Sequence, residues 1–364
     1  MVYILPLILI LYGVYYYDYR RNESGRLVLL AVIAIVLIIL GGLHYRVGFD
    51  SFAYERFYEK LRPLDVITSK NIEASRYAPG FVVLASFTKL FSPEPVLLYF
   101  IISGFVISCV TFFFIRNSKN PFFAFLIFYF FFFTVLIFEQ IREAMAVGFF
   151  LLAWPAFKSN NWIKWYILSF CAIAFHTSAT FMFILPMILL PGVRYIFIYG
   201  KRTWVFLSLV LIIAFILQHT FSRYIELLAV TQSMEELTQK YQYTTFIEGH
   251  LNIIGIITEF IRWILYPLLA LIYFGKIKPG MEEAKGLIKT EMFVIISIYI
   301  SILSLGVPIL ARFNNYFLFF PVILLSDLIF QKIIINRKRI RLKFVGWVLF
   351  FLPLFFLLRR HAVN

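Results

Sequence analysis

Long apolar runs separated by short basic loops constrain this chain more than any other feature of its sequence. A transmembrane α-helix needs about 20 mostly apolar residues, and many runs approach that length in a chain of 364 residues that is 62% hydrophobic. Only structures that satisfy their own backbone hydrogen bonds span a bilayer, which favours helices. The runs occupy residues 1–17, 27–45, 95–115, 121–138, 141–157, 162–175, 177–191, 203–219, 251–274, 291–310, 313–331 and 343–358. We therefore predict an all-α polytopic membrane protein with about 12–13 transmembrane helices plus re-entrant or interfacial helices.

The loops between these runs carry most of the net charge of +15. Lysine and arginine accumulate in the cytoplasmic loops of membrane proteins. On that basis we place six basic loops in the cytoplasm: residues 20–26, 116–119, 158–164, 194–202, 276–289 and 332–343. Because the positive charge has this explanation and no soluble basic face is present, nucleic acid is not expected among the partners.

We interpret residues 1–364 as a single integral membrane domain with two outward-facing loops, 46–77 and 220–250, each predicted to carry an amphipathic helix. The apolar run 78–91 is about 14 residues long, which suits a re-entrant or short helix better than a full span. In an alternative topology this run crosses the bilayer and residues 46–77 lie inside. The alternative separates Arg46 and Asp50 from the other candidate site residues.

The first cluster of candidate site residues follows the second apolar run and contains Arg46, Gly48, Asp50 and Tyr54. If the segment after Gly48 is helical, Asp50 and Tyr54 are four residues apart and share a face. A carboxylate near an arginine and a phenol can act as a general base or orient a sugar hydroxyl. The alternative is structural: Asp50 caps an interfacial helix and Arg46 extends to the lipid headgroups.

The second cluster, Glu139, Arg142 and Glu143, lies between two apolar runs with almost no loop. Arg142 comes three residues after Glu139, so the two side chains can pair on one helical face. The planar guanidinium of Arg142 suits a phosphate, and either glutamate can hold it in place. A self-neutralising turn between two helices is the structural alternative.

His176 and the pair Arg312 and Tyr316 complete the candidates. His176 lies in the middle of residues 162–191, a stretch too long for one span and barely long enough for two. Arg312 and Tyr316 are four residues apart and can face one cavity. The structural alternatives are a satisfied interfacial histidine and an arginine–tyrosine anchor for a helix. No metal site is predicted, because no second His, Cys or carboxylate stands at ligand spacing from His176.

In the preferred topology these side chains lie at the ends of apolar runs on one face of the membrane. A charge near hydrocarbon costs a few kcal/mol per residue. We therefore expect the grouped charges to have a binding role, and an anionic, lipid-borne substrate fits them best. The sequence lacks the phosphate-binding glycine loop, nucleophile elbow, HExxH and CxxC patterns of kinases, hydrolases and redox enzymes.

Four short motifs follow one another along the chain: Arg46-x-Gly48-x-Asp50-x-x-x-Tyr54, Ile141-Arg142-x-Ala144-x-Ala146, Phe175-His176-x-Ser178-Ala179 and Arg312-x-x-x-Tyr316-Phe317. In this order they resemble the motifs of the EpsG family, whose members resemble Wzy-type polymerases of bacterial surface polysaccharides. The resemblance covers roughly residues 40–325. Two positions depart from the family pattern: Phe49 replaces a small or polar residue, and Glu143 stands where a glutamine is common.

The resemblance implies a glycosyltransferase that polymerises undecaprenyl-diphosphate-linked oligosaccharide repeat units into surface polysaccharide, such as the O-antigen of lipopolysaccharide, without a metal or other cofactor. It implies a multi-pass protein of the bacterial inner (cytoplasmic) membrane with its active site facing the periplasm or the outside. A GT-C-like fold is one architecture that fits. The implied partners are the lipid-linked oligosaccharide and membrane lipids, and a chain-length regulator protein is a further candidate.

The resemblance also implies a role for each candidate residue. Asp50 or His176 is the expected base for the acceptor hydroxyl, and the sequence does not choose between them. The implied roles are diphosphate binding by Arg46, Arg142 and Arg312, catalysis by Asp50, His176 and Glu139, and sugar binding or orientation by Tyr54, Glu143 and Tyr316.

Two other functions remain open from the sequence. A glycan ligase uses the same lipid donor on the same membrane face, but such enzymes usually have a larger outward loop. A lipid-linked oligosaccharide flippase or other transporter is the second alternative. Transporters tend to place charges near the bilayer midplane between inverted repeats, whereas the charges here lie at run ends and no repeat is visible.

Overall fold

The computed structural model describes residues 3–44, 50–189, 289–290, 292–301, 311–329, 332–335 and 338–341. The chain divides into two compact units, one formed by Met1–Met187 with Val322–Asn364 and the other by Ile188–Pro321. The predicted outward loop 220–250 lies outside the described residues.

The first unit is built from helices, as the sequence predicts. Its α-helices are α1 (Ile4–Gly13), α2 (Arg26–Gly42), α3 (Ser51–Lys60), α4 (Ser69–Glu73), α5 (Pro79–Lys89), α6 (Val96–Asn117), α7 (Pro121–Phe128), α8 (Ile141–Lys158) and α9 (Trp162–Phe175). π-Helical segments occupy Val14–Tyr19, Tyr129–Phe133 and Val135–Glu139, and 3₁₀ segments occupy Thr177–Phe183 and Leu185–Leu189. The described part of the chain is therefore mostly helical.

Local sequence signals set where several of these helices begin. Pro79 and Pro121 stand at the starts of α5 and α7, where the missing backbone N–H costs nothing. Thr68 and Asn71 form a capping box at the start of α4. The side chain of Asn161 accepts a backbone hydrogen bond from the first turn of α9. The starts of these four helices are thus fixed by their own residues.

Close contacts join the central helices of the first unit. α8 packs against both α6 and α9, and α2 packs against α6. Glycine permits close approach: a Cβ at Gly148 of α8 would lie 2.7 Å from the ring of Phe105 in α6. Trp154 Nε1 donates a hydrogen bond to Oδ1 of Asn117 at 3.1 Å. This bond places the last turns of α6 and α8 at the same end of the unit.

Among the described residues, one helix has both the length and the apolar composition needed to cross a bilayer: α6, with 22 residues. The other apolar helices in that part of the chain are shorter. The run 162–191 is divided at His176, where α9 ends and the backbone is extended (φ −153°, ψ 125°). The larger number of spans, about 12–13, stays a prediction.

The second unit contains α10 (Met292–Ser301) and α11 (Ala311–Phe317). It also contains the first residues of α12 (Phe319–Ile329). Polar bonds join α10 to α11: Ser297 Oγ donates to Oδ1 of Asn314 at 2.7 Å, and Nδ2 of Asn314 donates to Oγ of Ser301. Asn314 is completely buried. Its amide is therefore satisfied inside the unit, which fixes the face of α11 that meets α10.

Two short strands accompany the helices of the described residues, which are mostly helical and consistent with the predicted all-α class. The strand β1 (Lys332–Ile335) pairs antiparallel with β2 (Lys338–Arg341), with Lys332 opposite Arg341 and Ile335 opposite Lys338. The sequence analysis treated these residues as a basic loop. β1 contains three consecutive isoleucines, whose branched side chains favour an extended strand.

Candidate functional site

A guanidinium and a phenol meet where α3 contacts the start of α8. Arg142, in the first turn of α8, donates from Nε to the hydroxyl of Tyr54 in α3 at 3.4 Å. Tyr54 is 4% exposed, and Arg142 is half-buried. The two residues are 88 positions apart, and the sequence analysis assigned both of them to the site. The structure brings them into direct contact.

Tyr77 is the second support of Arg142. Its ring centroid lies 4.4 Å from the guanidinium carbon of Arg142, which is within the range of a cation–π interaction. The guanidinium carbon of Arg76 lies 5.0 Å from the same centroid, and Arg76 donates to the Tyr77 hydroxyl at 2.8 Å. Two guanidinium groups therefore share one aromatic ring. Neither Arg76 nor Tyr77 was predicted from the sequence as a site residue.

Among the described residues, most N–H groups of Arg142 have no hydrogen-bond partner. A guanidinium has five donors, and within the described part of the chain Arg142 makes one hydrogen bond, to Tyr54. The aromatic rings of Tyr54 and Tyr77 position the group without using its remaining donors. The result is a half-buried, oriented cation that can bind an anion in two-point fashion.

Asp50 lies one helical turn from Tyr54, as predicted from their spacing. Its carbonyl oxygen accepts a hydrogen bond from the Tyr54 N–H at 3.1 Å. Its side chain makes no capping hydrogen bond with α3 and is exposed, so the structural alternative for this residue is not observed. An exposed carboxylate one helical turn from the Tyr54 phenol is able to accept a proton from a substrate hydroxyl.

Tyr54 keeps its phenolic proton. Burial raises the pKa of Tyr54, the Arg142 charge and hydrogen bond lower it, and the Asp50 charge raises it, with an upward shift as the result. The phenol is therefore neutral at physiological pH. Its oxygen accepts from Arg142, and its O–H is a donor.

His176 ends α9 at the point where the chain reverses. The backbone N–H of Ser178 donates to His176 Nδ1 at 3.3 Å, and Ser178 Oγ lies 2.5 Å from the same nitrogen. A backbone N–H can only donate, so Nδ1 is unprotonated in this contact and the neutral imidazole carries its hydrogen on Nε2. In this tautomer we expect Nε2 to act as a hydrogen-bond donor.

The start of α5 brings the end of α9 and the start of α8 to the same end of the unit. A Cβ at Gly80 would lie 2.6 Å from the carbonyl oxygen of Ala174, so the backbones of α5 and α9 touch. Three residues before Gly80, Tyr77 contacts Arg142. Two residues after Ala174, His176 ends α9. Arg142 and His176 therefore flank the start of α5.

Gly80→Ala is expected to destabilise the protein by about 1–3 kcal/mol, because the added Cβ collides with the α9 backbone. Gly104→Ala in α6 is the matched control, since the nearest atom to its Cβ, in Ile38, would lie 4.0 Å away. Thermal unfolding of the detergent-purified variants measures both effects. Equal melting temperatures for the two variants would contradict the close approach of α5 and α9.

The predicted helical pairing of Glu139 with Arg142 is not observed. Glu139 ends a π-helical segment, and Gln140 has a non-helical backbone (φ −110°, ψ 44°). Glu139 therefore does not belong to α8, and Arg142 bonds to Tyr54 instead. Glu143 is in α8 and is 2% exposed. Its burial favours a role in orienting neighbours over direct contact with a sugar.

The remaining candidates are placed elsewhere or not described. Arg46 lies outside the described residues. Arg312 and Tyr316 are one turn apart in α11, within the second unit. Tyr316 is completely buried and Arg312 is half-buried. The described contacts thus join Arg142 to Tyr54 one helical turn from Asp50, and the roles of all the candidate residues stay predictions.

The described residues contain no group of three His, Cys, Asp or Glu side chains arranged to hold a metal ion. Cys109 and Cys171 are free thiols. The groups that this end of the first unit offers to a ligand are guanidinium, phenol, carboxylate and imidazole. Together they suit an anion that carries sugar hydroxyls.

Comparison with known proteins gives one match. The sequence model of the EpsG family matches residues 26–363, nearly the whole chain. No curated protein and no solved structure matches the chain. The matched range includes every candidate site residue, and it confirms the resemblance that the four motifs indicated.

Proposed function

This chain belongs to the EpsG family of Wzy-like polysaccharide polymerases, and we propose that it joins undecaprenyl-diphosphate-linked oligosaccharide repeat units into a surface polysaccharide at the outer face of the bacterial inner membrane. In the proposed reaction the growing glycan is the donor. The bond from its anomeric carbon to the diphosphate breaks, and the lipid diphosphate leaves with the electron pair. A hydroxyl oxygen of the new repeat unit bonds to that carbon and loses its proton.

The half-buried guanidinium of Arg142, with its uncommitted donors, carries this proposal. Negative charge develops on the leaving diphosphate, and an oriented guanidinium stabilises it through two parallel hydrogen bonds. A hydrogen bond to a charged group contributes about 1.5–3 kcal/mol. Because Tyr54 and Tyr77 already hold the guanidinium, little side-chain freedom is lost when the anion arrives.

Arg76 supplies a second guanidinium beside the first. Its guanidinium carbon lies 5.0 Å from the Tyr77 ring centroid, and that of Arg142 lies 4.4 Å from the same centroid. Arg76 is therefore a further candidate to bind the diphosphate. Arg46 and Arg312 remain further candidate ligands of the diphosphate. In this proposal side-chain cations neutralise the leaving group, and the reaction requires no metal ion.

Asp50 is the proposed base. Its exposed carboxylate makes no capping hydrogen bond with α3, whereas the Nδ1 lone pair of His176 is engaged by Ser178. The acceptor proton therefore goes to Asp50, and His176 donates from Nε2 to a phosphate or sugar oxygen. Glu139, at the break before α8, remains a further candidate for proton transfer.

Two observations support the outward orientation of this site. Arg116, Lys158 and Lys164 lie at the other end of α6, α8 and α9, and basic ends of membrane helices face the cytoplasm. α5 returns along α3: Leu64 N–H donates to the Ser86 carbonyl at 3.1 Å. This arrangement fits the topology in which residues 78–91 do not cross.

Deletion of the gene tests the proposed function, with surface glycan analysed on gels. Loss of a polymerase leaves single repeat units attached to the surface, and the intact gene restores the ladder of longer glycans. Loss of a ligase leaves no glycan attached, and loss of a flippase leaves lipid-linked units on the cytoplasmic side. Either of the last two outcomes contradicts a polymerase.

His176→Ala is expected to slow polymerisation by about tenfold to a hundredfold, the loss of one hydrogen bond to a charged group. His176→Gln places an amide N–H near the position of Nε2 and is expected to retain more activity than His176→Ala. Turnover of purified lipid-linked repeat units measures both variants. If His176→Gln is as slow as His176→Ala, the donor role of Nε2 is wrong.

A further inference from the structure

An apolar groove opens at the end of the first unit opposite to Arg142. It encloses about 370 Å³ and is lined by Phe112, Arg116, Leu152, Pro155, Lys164 and Leu168. Ligand-binding pockets usually measure roughly 300–1,000 Å³. The lining residues come from α6, α8 and α9, and none of them has a part in the proposed polymerase site.

The lining residues form two layers. Each of the three helices contributes two residues three or four positions apart, so each pair lies on one helix face, separated by about one turn. The basic end of the unit contains the last turns of α6 and α8 and the first turn of α9. The outer layer nearest this end is Arg116, Pro155 and Lys164. The inner layer, about 5 Å deeper, is Phe112, Leu152 and Leu168.

Charge and polarity separate the two layers. The outer layer carries two exposed cations, Arg116 and Lys164, and the inner layer is entirely apolar. The guanidinium carbon of Arg116 lies 4.8 Å from the ring centroid of Phe112, which directs the cation over the groove. The acidic residue within α6, α8 and α9 is Glu143, near the far end of α8. The groove therefore has a positive rim and an apolar interior.

We propose that this groove binds an anionic phospholipid of the cytoplasmic leaflet. The phosphate lies between Arg116 and Lys164, and the first part of one acyl chain packs against Phe112, Leu152 and Leu168. Basic pockets between membrane helices on the cytoplasmic side bind anionic headgroups in this way. A free phosphate ion satisfies the rim and leaves the apolar layer uncovered, whereas a phospholipid covers both layers.

Native mass spectrometry of the full-length protein in a zwitterionic detergent tests this site. Phosphatidylglycerol is expected to bind more tightly than phosphatidylcholine with the same acyl chains, and added inorganic phosphate is not expected to displace it. Arg116→Ala with Lys164→Ala is expected to weaken phosphatidylglycerol binding about thirtyfold, given about 1 kcal/mol per cation and 1.4 kcal/mol per tenfold. The matched control, Arg62→Ala with Lys70→Ala, removes two exposed cations from the opposite end and is expected to bind normally.

A second variant tests the groove without changing its charge. It also covers the case in which the Arg116→Ala, Lys164→Ala double variant does not fold. Leu152→Trp fills the apolar layer and leaves both cations in place, so it is expected to reduce phosphatidylglycerol binding as well. Unchanged selectivity for phosphatidylglycerol in both groove variants overturns the proposal. If the unmodified protein forms a dimer in these spectra and the groove variants lose it with lipid binding unchanged, the proposal is also overturned and the groove is a contact between two copies of the chain. Neither outcome bears on polymerase activity.

Discussion

Replacing Arg142 by alanine is expected to leave single repeat units on the cell surface, with no ladder of longer glycans. The variant removes the guanidinium that Tyr54 and Tyr77 support. Two lost hydrogen bonds to a charged group, at about 1.5–3 kcal/mol each, correspond to a rate reduction of at least about a hundredfold. Surface glycan gels and turnover of purified lipid-linked repeat units measure the effect.

Arg142→Lys separates charge from geometry. A lysine keeps the positive charge, but its ammonium cannot provide two parallel donors or lie flat against the Tyr77 ring. We therefore expect this variant to recover little activity. Arg62→Ala is the matched control, because Arg62 is an exposed arginine of the predicted outward loop 46–77 and has no assigned role. Full-length ladders in Arg142→Ala cells would remove Arg142 from the mechanism.

Asp50→Asn is expected to reduce the turnover number by at least about a hundredfold, the lower end of the contribution usual for general acid–base catalysis. The substitution preserves size and leaves the start of α3 intact, since the Asp50 side chain makes no capping hydrogen bond there. The base acts in the transition state, so KM is expected to change little.

Asp65→Asn is the control for Asp50→Asn. Asp65 is also an exposed aspartate of the predicted outward loop 46–77, and its replacement is expected to leave turnover unchanged. If Asp50→Asn instead raises KM and leaves the turnover number normal, Asp50 binds the acceptor sugar and does not take its proton. The proton would then need another acceptor, with Glu139 the remaining candidate.

Features that depend on spacing along one segment were predictable from the sequence. Asp50 and Tyr54 share a helical turn because four residues separate them and no breaker intervenes. The break at His176 fits a stretch that is too long for one span and barely long enough for two. The mostly helical class follows from the apolar runs, whereas the two short paired strands, Lys332–Ile335 and Lys338–Arg341, were not predicted inside a segment dominated by its basic charge.

Features that depend on contacts between distant segments were not predictable. Tyr77 supports Arg142 because α3 and the start of α5 fold against the start of α8. In a chain with 22 tyrosines and 45 phenylalanines, one aromatic residue beside an arginine carries no signal of that contact. The predicted pairing of Glu139 with Arg142 failed for a local reason. The helix is interrupted at Gln140, and no proline or glycine stands there to indicate the break.

The backbone contact between Gly80 and Ala174 has an evolutionary consequence. Any larger residue at position 80 forces α9 away from α5, and the displacement would reach Tyr77 on one side and His176 on the other. Substitutions at positions 80 and 174 should therefore be inherited together. Glycine should be retained at position 80 wherever α9 packs against α5 as it does here. The spacing between Tyr77 and Gly80 should likewise tolerate no insertion or deletion among functional descendants.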